Sequence, residues 1–392
     1  MSLTPAEQKV LDRIDEDLLV RVTQDLVRAH GQNPPGEEAA TAVALAAAAR
    51  DLGLDVQTSP VEPGRENVSI TLAGGNNPGL LLLGHTDVVP VGDGWTVDPY
   101  GGLLRDGRIY GRGASDMKGG LAAALIALAA LCGTALTGPV ELAAVVDEEE
   151  TGKGIRAYIA ESKRQYAGCI TAEPTDLQTI IAARGDSYLR VEVHGRASHA
   201  GNPDGGANAI YGAAAVVAEI ERLHAELATA PHPLLGPATW SVGQINGGTG
   251  GSIVPAECVV VADRRLLPGE SPTEVLADLG RRVAALHLED RGLTVDLAMP
   301  MEMPAFETAD DTALVRTTES ARLAAGGHPM PLAGWTAACD GGYIARDLDV
   351  PVIVLGPGSV TTQAHRANES VPVTELVTAA RTYTLTALRL LG

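Results

Sequence analysis

The leucine run at 81–83 gives way, in "LLLGHTDVVP", to His85 and Asp87. Two residues apart on an extended chain, their side chains point the same way, as a metal-binding imidazole and its orienting carboxylate do. One such pair is ordinarily only a hydrogen bond, so other ligands have to be sought. "GRGASDMKGG" presents Asp116, "PVELAAVV" runs into Asp147, Glu148 and Glu149, and "GCITA" runs into Glu173. "VPVIVLGPG" is followed by "AHRANES", with His365. Nitrogen and oxygen donors of this kind suit zinc, and they suffice for two ions sharing one carboxylate; cobalt and manganese accept the same donors. Adjacent side chains diverge, so if one of Glu148 and Glu149 binds metal, the other can stand beside the metal-bound water. A metal lowers the pKa of such a water to ~7, and a neighbouring carboxylate can then pass its proton to a leaving amine. That chemistry is the hydrolysis of an acyl bond.

Positioning these groups requires strands that end along one edge. Short apolar strands ("ENVSITLAG", "GLLLLG", "PVELAAVV", "GCITAE", "VPVIVLGPG") alternate with helices over about 18–29, the alanine-rich stretch ending near "LGLDV", 117–132 and 153–163, which is α/β order. In an open sheet of that class, sites gather where strands give way to loops at their carboxyl ends. The pattern changes between about 181 and 296: strand, helix, two strands, helix, strand, an α+β insert that interrupts the first domain. The expected domains are 1–180 plus 297–392, and 181–296. Two capping boxes mark helix starts, "TPAE" at 4–7 and "SPTE" at 271–274. Cys339 and Asp340, in "TAACDGG", read as the cap of a further helix.

At 392 residues two domains are the natural prior, and aromatics at 3% leave a core of Ala, Leu and Val with little material for stacking platforms. The net charge of -20 sets nucleic acid aside, since phosphate binding depends on Lys and Arg. The scattered cysteines Cys132, Cys169, Cys258 and Cys339 form no thiolate zinc motif or disulfide framework and fit a cytoplasmic location. The amino terminus lacks the apolar core of a signal peptide, and the run "LAAALIALAALC" falls short of the ~20 residues that span a bilayer. A buried helix and no membrane partner are expected. "GRGASD" has Asp116 where a dinucleotide fingerprint needs its third glycine, and "GGTGGS" lacks the GK[ST] of a P-loop.

The ordered motifs "GHTDVVP", "GRGASDMKGG", "DEEETG", "AEPT", "ASHAGNP" and "HRANES" resemble the family of co-catalytic metallohydrolases that includes acetylornithine deacetylase, succinyl-diaminopimelate desuccinylase, aminoacylase and glutamate carboxypeptidase. The likeness spans nearly the whole chain. It implies a zinc-peptidase-like, three-layer α/β catalytic domain with an inserted α+β (ferredoxin-like) lid domain through which a homodimer forms. It also makes Asp116 a bridging ligand, completes one zinc with His85 and Glu173 and the other with Glu149 and His365, and gives Glu148 the general acid/base role. Asp87 then orients His85, and the peptide after Asp116 is cis. His199 reaches the partner's site to stabilise an oxyanion, and Arg265, with Arg264 as its rival, holds a substrate carboxylate. Ser252 stands where many relatives carry an asparagine that contacts substrate. The remaining histidines are expected at surface or packing positions.

The expected activity is deacylation of an N-acyl amino acid, a step of amino-acid metabolism. The alternative within the class is an exopeptidase or dipeptidase acting on short peptides. A catalytically silent binding relative would have lost a ligand or the base, and neither is missing.

Overall fold

The computed structural model describes residues 3–392. The leucine run forms the strand Gly79–His85, buried at every residue, so both of its faces must be covered. It lies parallel between Val140–Val145 and Tyr166–Thr171, and Val352–Val354 adds to the latter, again parallel. Beyond Val140–Val145 the sheet continues as an antiparallel hairpin, Asp55–Glu62 and Arg65–Leu72. The first of these two strands went unread in the sequence.

Alternation assigns the faces. Leu80, Leu82, Ile170 and Ile353 join one core with the helices Glu16–Arg28, Gly119–Leu131 and Val373–Leu391. Thr171 and Val352 point the other way, onto Gly341 at the start of the helix Gly341–Leu348. Helix, sheet and helix thus form three layers. Gly119–Leu131 is apolar all round and almost wholly buried, as expected of a helix enclosed by others. The stretch Ala114–Leu131 is long and apolar enough to cross a membrane, but 94% of it is buried inside the protein.

The insert has the expected order: strand Gly185–His194, helix Ala209–Leu227, strands Thr239–Gly247 and Glu257–Leu266, helix Pro272–Ala284, strand Thr294–Met303. All its pairings are antiparallel, and the spatial order is 239–247, 257–266, 185–194, 294–303, a ferredoxin-like sheet. Leu189, Val191, Val193, Val260 and Ala262 form its covered face with Val216, Ile220 and Leu279 of the two helices.

The chain divides into two compact units. One runs to Ile181 and resumes over Glu307–Gly334 and Cys339–Gly392; the other comprises Ala182–Phe306 and Trp335–Ala338. The smaller unit extends past residue 296 because Thr294–Met303 pairs along Gly185–His194 down to Asp186.

Thr4 closes the first capping box, exchanging hydrogen bonds of 2.7 and 3.1 Å with Glu7. The second does not close: Ser271 precedes Pro272–Ala284 as expected but makes no side-chain capping bond. Asp340 stands at the N-cap of Gly341–Leu348, as read, but its side chain makes no capping bond.

Candidate metal centre

Because Gly79–His85, Val140–Val145, Tyr166–Thr171 and Val352–Val354 run parallel, the segments that follow them leave at one edge of the sheet. His85 ends its strand, Glu148 and Glu149 follow the second, Glu173 the third and His365 the fourth. Two glycines let the Asp116 segment approach. A Cβ on Gly84 would lie 2.5 Å from the Met117 methyl, and one on Gly120 would lie 2.1 Å from the Ala172 carbonyl oxygen. Alanine favours helix over glycine by ~1 kcal/mol, yet this contact is with backbone that cannot turn aside. Gly120→Ala is therefore expected to destabilise the protein, by about 1–3 kcal/mol in urea unfolding, as overpacking does.

His85 Nδ1 lies 2.9 Å from the carbonyl oxygen of Asp87 and 3.5 Å from its carboxylate. A carbonyl only accepts, so Nδ1 carries a proton and Nε2 is the nitrogen left for a metal to take. Nε2 faces Asp116 Oδ1 at 3.3 Å and Glu173 Oε1 at 3.5 Å. The second oxygen of Asp116 lies 3.3 Å from His365 Nε2, which is itself 3.2 Å from Glu149 Oε2. Asp116 thus divides its oxygens between two imidazoles, each accompanied by one glutamate. The Asp116–Met117 peptide is cis, as the resemblance implies, and both residues leave helical geometry. Glu148 Oε2 lies 3.9 Å from His85 Nε2.

Carboxylates outnumber imidazoles here. Burial disfavours a proton on His85, but Glu173, Asp116 and Asp87 outweigh it and raise the imidazole well above its ordinary pKa. Hydrogen bonds that Asp116 and Glu149 accept from it raise His365 to about 10. Burial pushes Glu148 and Glu173 well above the usual carboxylate range, and burial with Asp116 pushes Glu149 up. Asp340, also buried, is pushed to about 8 by that burial, and among the described residues neither of its oxygens has a hydrogen-bond partner. Glu149 Oε1 is buried and unpartnered as well. A buried cluster that needs extra positive charge, with His85, Asp116, Glu148, Glu149 and Glu173 offering ligand atoms within 4.8 Å in two overlapping groups, fits divalent cations.

Some residues that build the site were not read from sequence. Glu369 is buried against Arg112 at 2.6 Å and accepts the backbone N–H groups of Gly113, Ser115 and Asp116 at 3.1, 2.8 and 2.9 Å. It is brought there by a small sheet in which Ser370–Pro372 pairs with Arg108–Tyr110, and that strand with Leu103–Arg105. Its signal was its place in "HRANES", four residues after His365. Asn33, Arg65 and Asp147 form a second support behind Asp87. Asp147 was visible at a strand end; Asn33 and Arg65 carried no signal.

On the smaller unit, His199 is exposed in the short strand Ser198–His199, and its Nδ1 accepts from Gly201 N at 3.0 Å. Ser252 is exposed, and its carbonyl accepts from Ala200 N. Arg265 is half-buried between Asp263 at 3.0 Å and Asp186 at 3.3 Å. Its rival Arg264 is buried, tied to Glu270 at 2.5 Å and stacked over Trp240, a packing role. His30, His224, His287 and His328 are exposed, while His194 and His232 are half-buried.

A model of peptidase family M20/M25/M40 matches residues 81–389. The acetylornithine deacetylase of Klebsiella pneumoniae (strain 342) is 34% identical over 332 residues, covering 82% of this chain and 82% of that protein. Among solved structures, aminopeptidase PepT from Bacillus cereus ATCC 10987 aligns with a TM-score of 0.77 at 23% identity, over 96% of this chain and 99% of that one. The M20 family metallo-carboxypeptidase Sso-CP2 from Sulfolobus solfataricus gives 0.77 at 20% identity, over 94% and 98%. At such identities the two structures share the fold. The chain belongs to peptidase family M20/M25/M40 and is a hydrolase of amide bonds.

Proposed function

We propose that this protein is a dinuclear zinc deacylase that frees the amine of an N-acyl amino acid of the N-acetylornithine or N-succinyl-diaminopimelate kind. The reading is carried by Asp116, whose two oxygens face two separate imidazole–glutamate pairs. The substrate class is supported by the 34% identity to an acetylornithine deacetylase. His85 and Glu173 would hold one ion and Glu149 and His365 the other, with Asp116 between them. Bound there, such ions polarise an acyl carbonyl and acidify water.

The chain's own groups do the rest. Glu148, buried and made more basic by that burial, takes the proton of the attacking water and delivers it to the amine nitrogen as the C–N bond breaks. The Asp87 carbonyl keeps His85 in the tautomer that presents Nε2. On the smaller unit, Arg265 is assigned to a substrate carboxylate, which must compete with Asp186 and Asp263 for the guanidinium. His199 is assigned to the oxyanion and Ser252 to substrate contact. A homodimer formed through the smaller unit and a cytoplasmic location complete the proposal; free Cys132, Cys169, Cys258 and Cys339 are consistent with the latter.

The test is hydrolysis of N-acetylornithine, N-succinyl-diaminopimelate, neutral N-acetyl amino acids and dipeptides by zinc-loaded and chelator-stripped protein. Zinc-dependent release of an amine from one acyl amino acid is expected. Preferential cleavage of dipeptides would replace deacylase by peptidase, and activity that survives stripping would remove the metal from the proposal.

A further inference from the structure

The loop "HGQNPPG" reads in the sequence only as a connection between two helices, yet it sends one side chain into the support of the site. Asn33 is buried, 3% exposed. Its Nδ2 donates to Asp87 Oδ2 at 3.0 Å and to Asp147 Oδ1 at 3.1 Å. One amide nitrogen, with two N–H bonds, therefore lies between two carboxylates that would otherwise repel each other.

Asp87 passes that placement on. Its Oδ1 accepts from the backbone N–H of Glu148 at 3.2 Å, and its Oδ2 accepts from that of Glu149 at 3.1 Å. Behind Asn33, Asp147 accepts from Arg65 at 2.8 Å, from Lys153 N at 3.3 Å and from the Thr151 hydroxyl. Arg65 is in turn gripped by buried Glu38 and reaches Glu62 at 3.0 Å. The loop is pinned as well: Asn33 N donates to Val88 O and Val88 N to Gly31 O, both at 2.9 Å, while Lys118 Nζ, two residues after Asp116, donates to Ala29 O at 2.6 Å.

We propose that Asn33 is a positioning residue for the reaction: by bridging Asp87 and Asp147 it fixes the backbone that presents Glu148 and Glu149. The inference rests on the roles assigned to those two glutamates under the proposed function. Chemistry dictates the residue type. An aspartate of the same size would add a third carboxylate and remove both donors, and an alanine would remove the group that bonds Asp87 and Asp147 together through one nitrogen. Groups that support metal ligands from behind typically contribute 10–100-fold to metal affinity or rate.

The experiment compares the full-length zinc protein with Asn33→Ala, the isosteric Asn33→Asp and a control, Glu37→Ala, altered at an exposed residue of the same loop. Zinc affinity is read by competition with a chromophoric chelator, folding by circular dichroism, and kcat and KM on the best substrate of the panel. Both Asn33 variants should remain folded and bind zinc about 10–100-fold more weakly. Reloaded at saturating zinc, they should show kcat reduced on the same scale with KM little changed. Glu37→Ala should match the parent. A double variant with Asp147→Ala should lose less than the product of the two single losses, because the two residues share the Asn33–Asp147 contact. Parent-like zinc affinity and kcat in Asn33→Asp would overturn the proposal, as would losses that only track the unfolded fraction or that multiply in the double variant. If the parent cleaves nothing in the panel, the deacylase reading fails while the chelator competition still decides the role of Asn33.

Discussion

Replacing Glu148 by alanine should cut turnover by about 10²–10⁴-fold, the span a positioned general acid or base contributes, while leaving both metals bound. The side chain is buried beside His85, Glu173 and Glu149, and burial holds its proton affinity well above that of an ordinary glutamate. A carboxylate placed beside the attacking water can accept its proton and release it to the leaving amine. The geometry also offers a rival: Glu148 belongs to one of the two clusters able to hold an ion, together with His85 and Glu173. Its 3.9 Å separation from His85 Nε2, against 3.5 Å for Glu173 and 3.3 Å for Asp116, places it behind those two as a ligand. Metal analysis of the purified variant alongside kcat separates the roles. Loss of one ion together with activity would make Glu148 a ligand, and retained activity would remove it from the chemistry.

Glu369→Ala should destabilise the protein by about 3–5 kcal/mol, the usual cost of stripping a buried ion pair of one partner. The buried Arg112 guanidinium would lose its carboxylate, and the N–H groups of Gly113, Ser115 and Asp116 would lose their common acceptor. Because the same carboxylate fixes Asp116 from the main-chain side, metal binding should weaken in the fraction that stays folded. Urea unfolding at fixed zinc measures the first effect, and Glu369→Gln, which keeps one acceptor oxygen, should fall between parent and alanine. A midpoint for Glu369→Ala indistinguishable from that of the parent would show that Arg112 and the loop find other partners.

His85, Glu148, Glu149, Glu173 and His365 were legible because each follows a short apolar run, and parallel strands bring such positions to one edge whatever the intervening sequence. The insert was legible because Gly185–His194 and Glu257–Leu266 alternate buried residues with half-buried or exposed ones. Glu369 escaped because its partners lie more than 250 residues away in sequence and because three-residue strands such as Ser370–Pro372 leave no periodicity to detect. Asn33 and Arg65 escaped for a related reason: a polar residue in a loop and an arginine opening a strand look alike whether they meet water or a buried carboxylate. Ser271 and Asp340 show the converse, since each has the residue type of a cap and neither makes the bond. Type and spacing state what a side chain can do, and the packing of distant segments decides whether it does so.

The division of Asp116 between His85 and His365 also bears on how the centre fills. A carboxylate is rigid and planar, so turning one oxygen toward an occupant necessarily moves the other. Two ions that shared it would form one linked equilibrium, in which occupancy at His85 would alter affinity at His365 and, by reciprocity, the reverse to the same degree. Since Glu369 holds the main chain beneath that carboxylate, the Asp116 side chain is the part of that residue left to turn between the two positions.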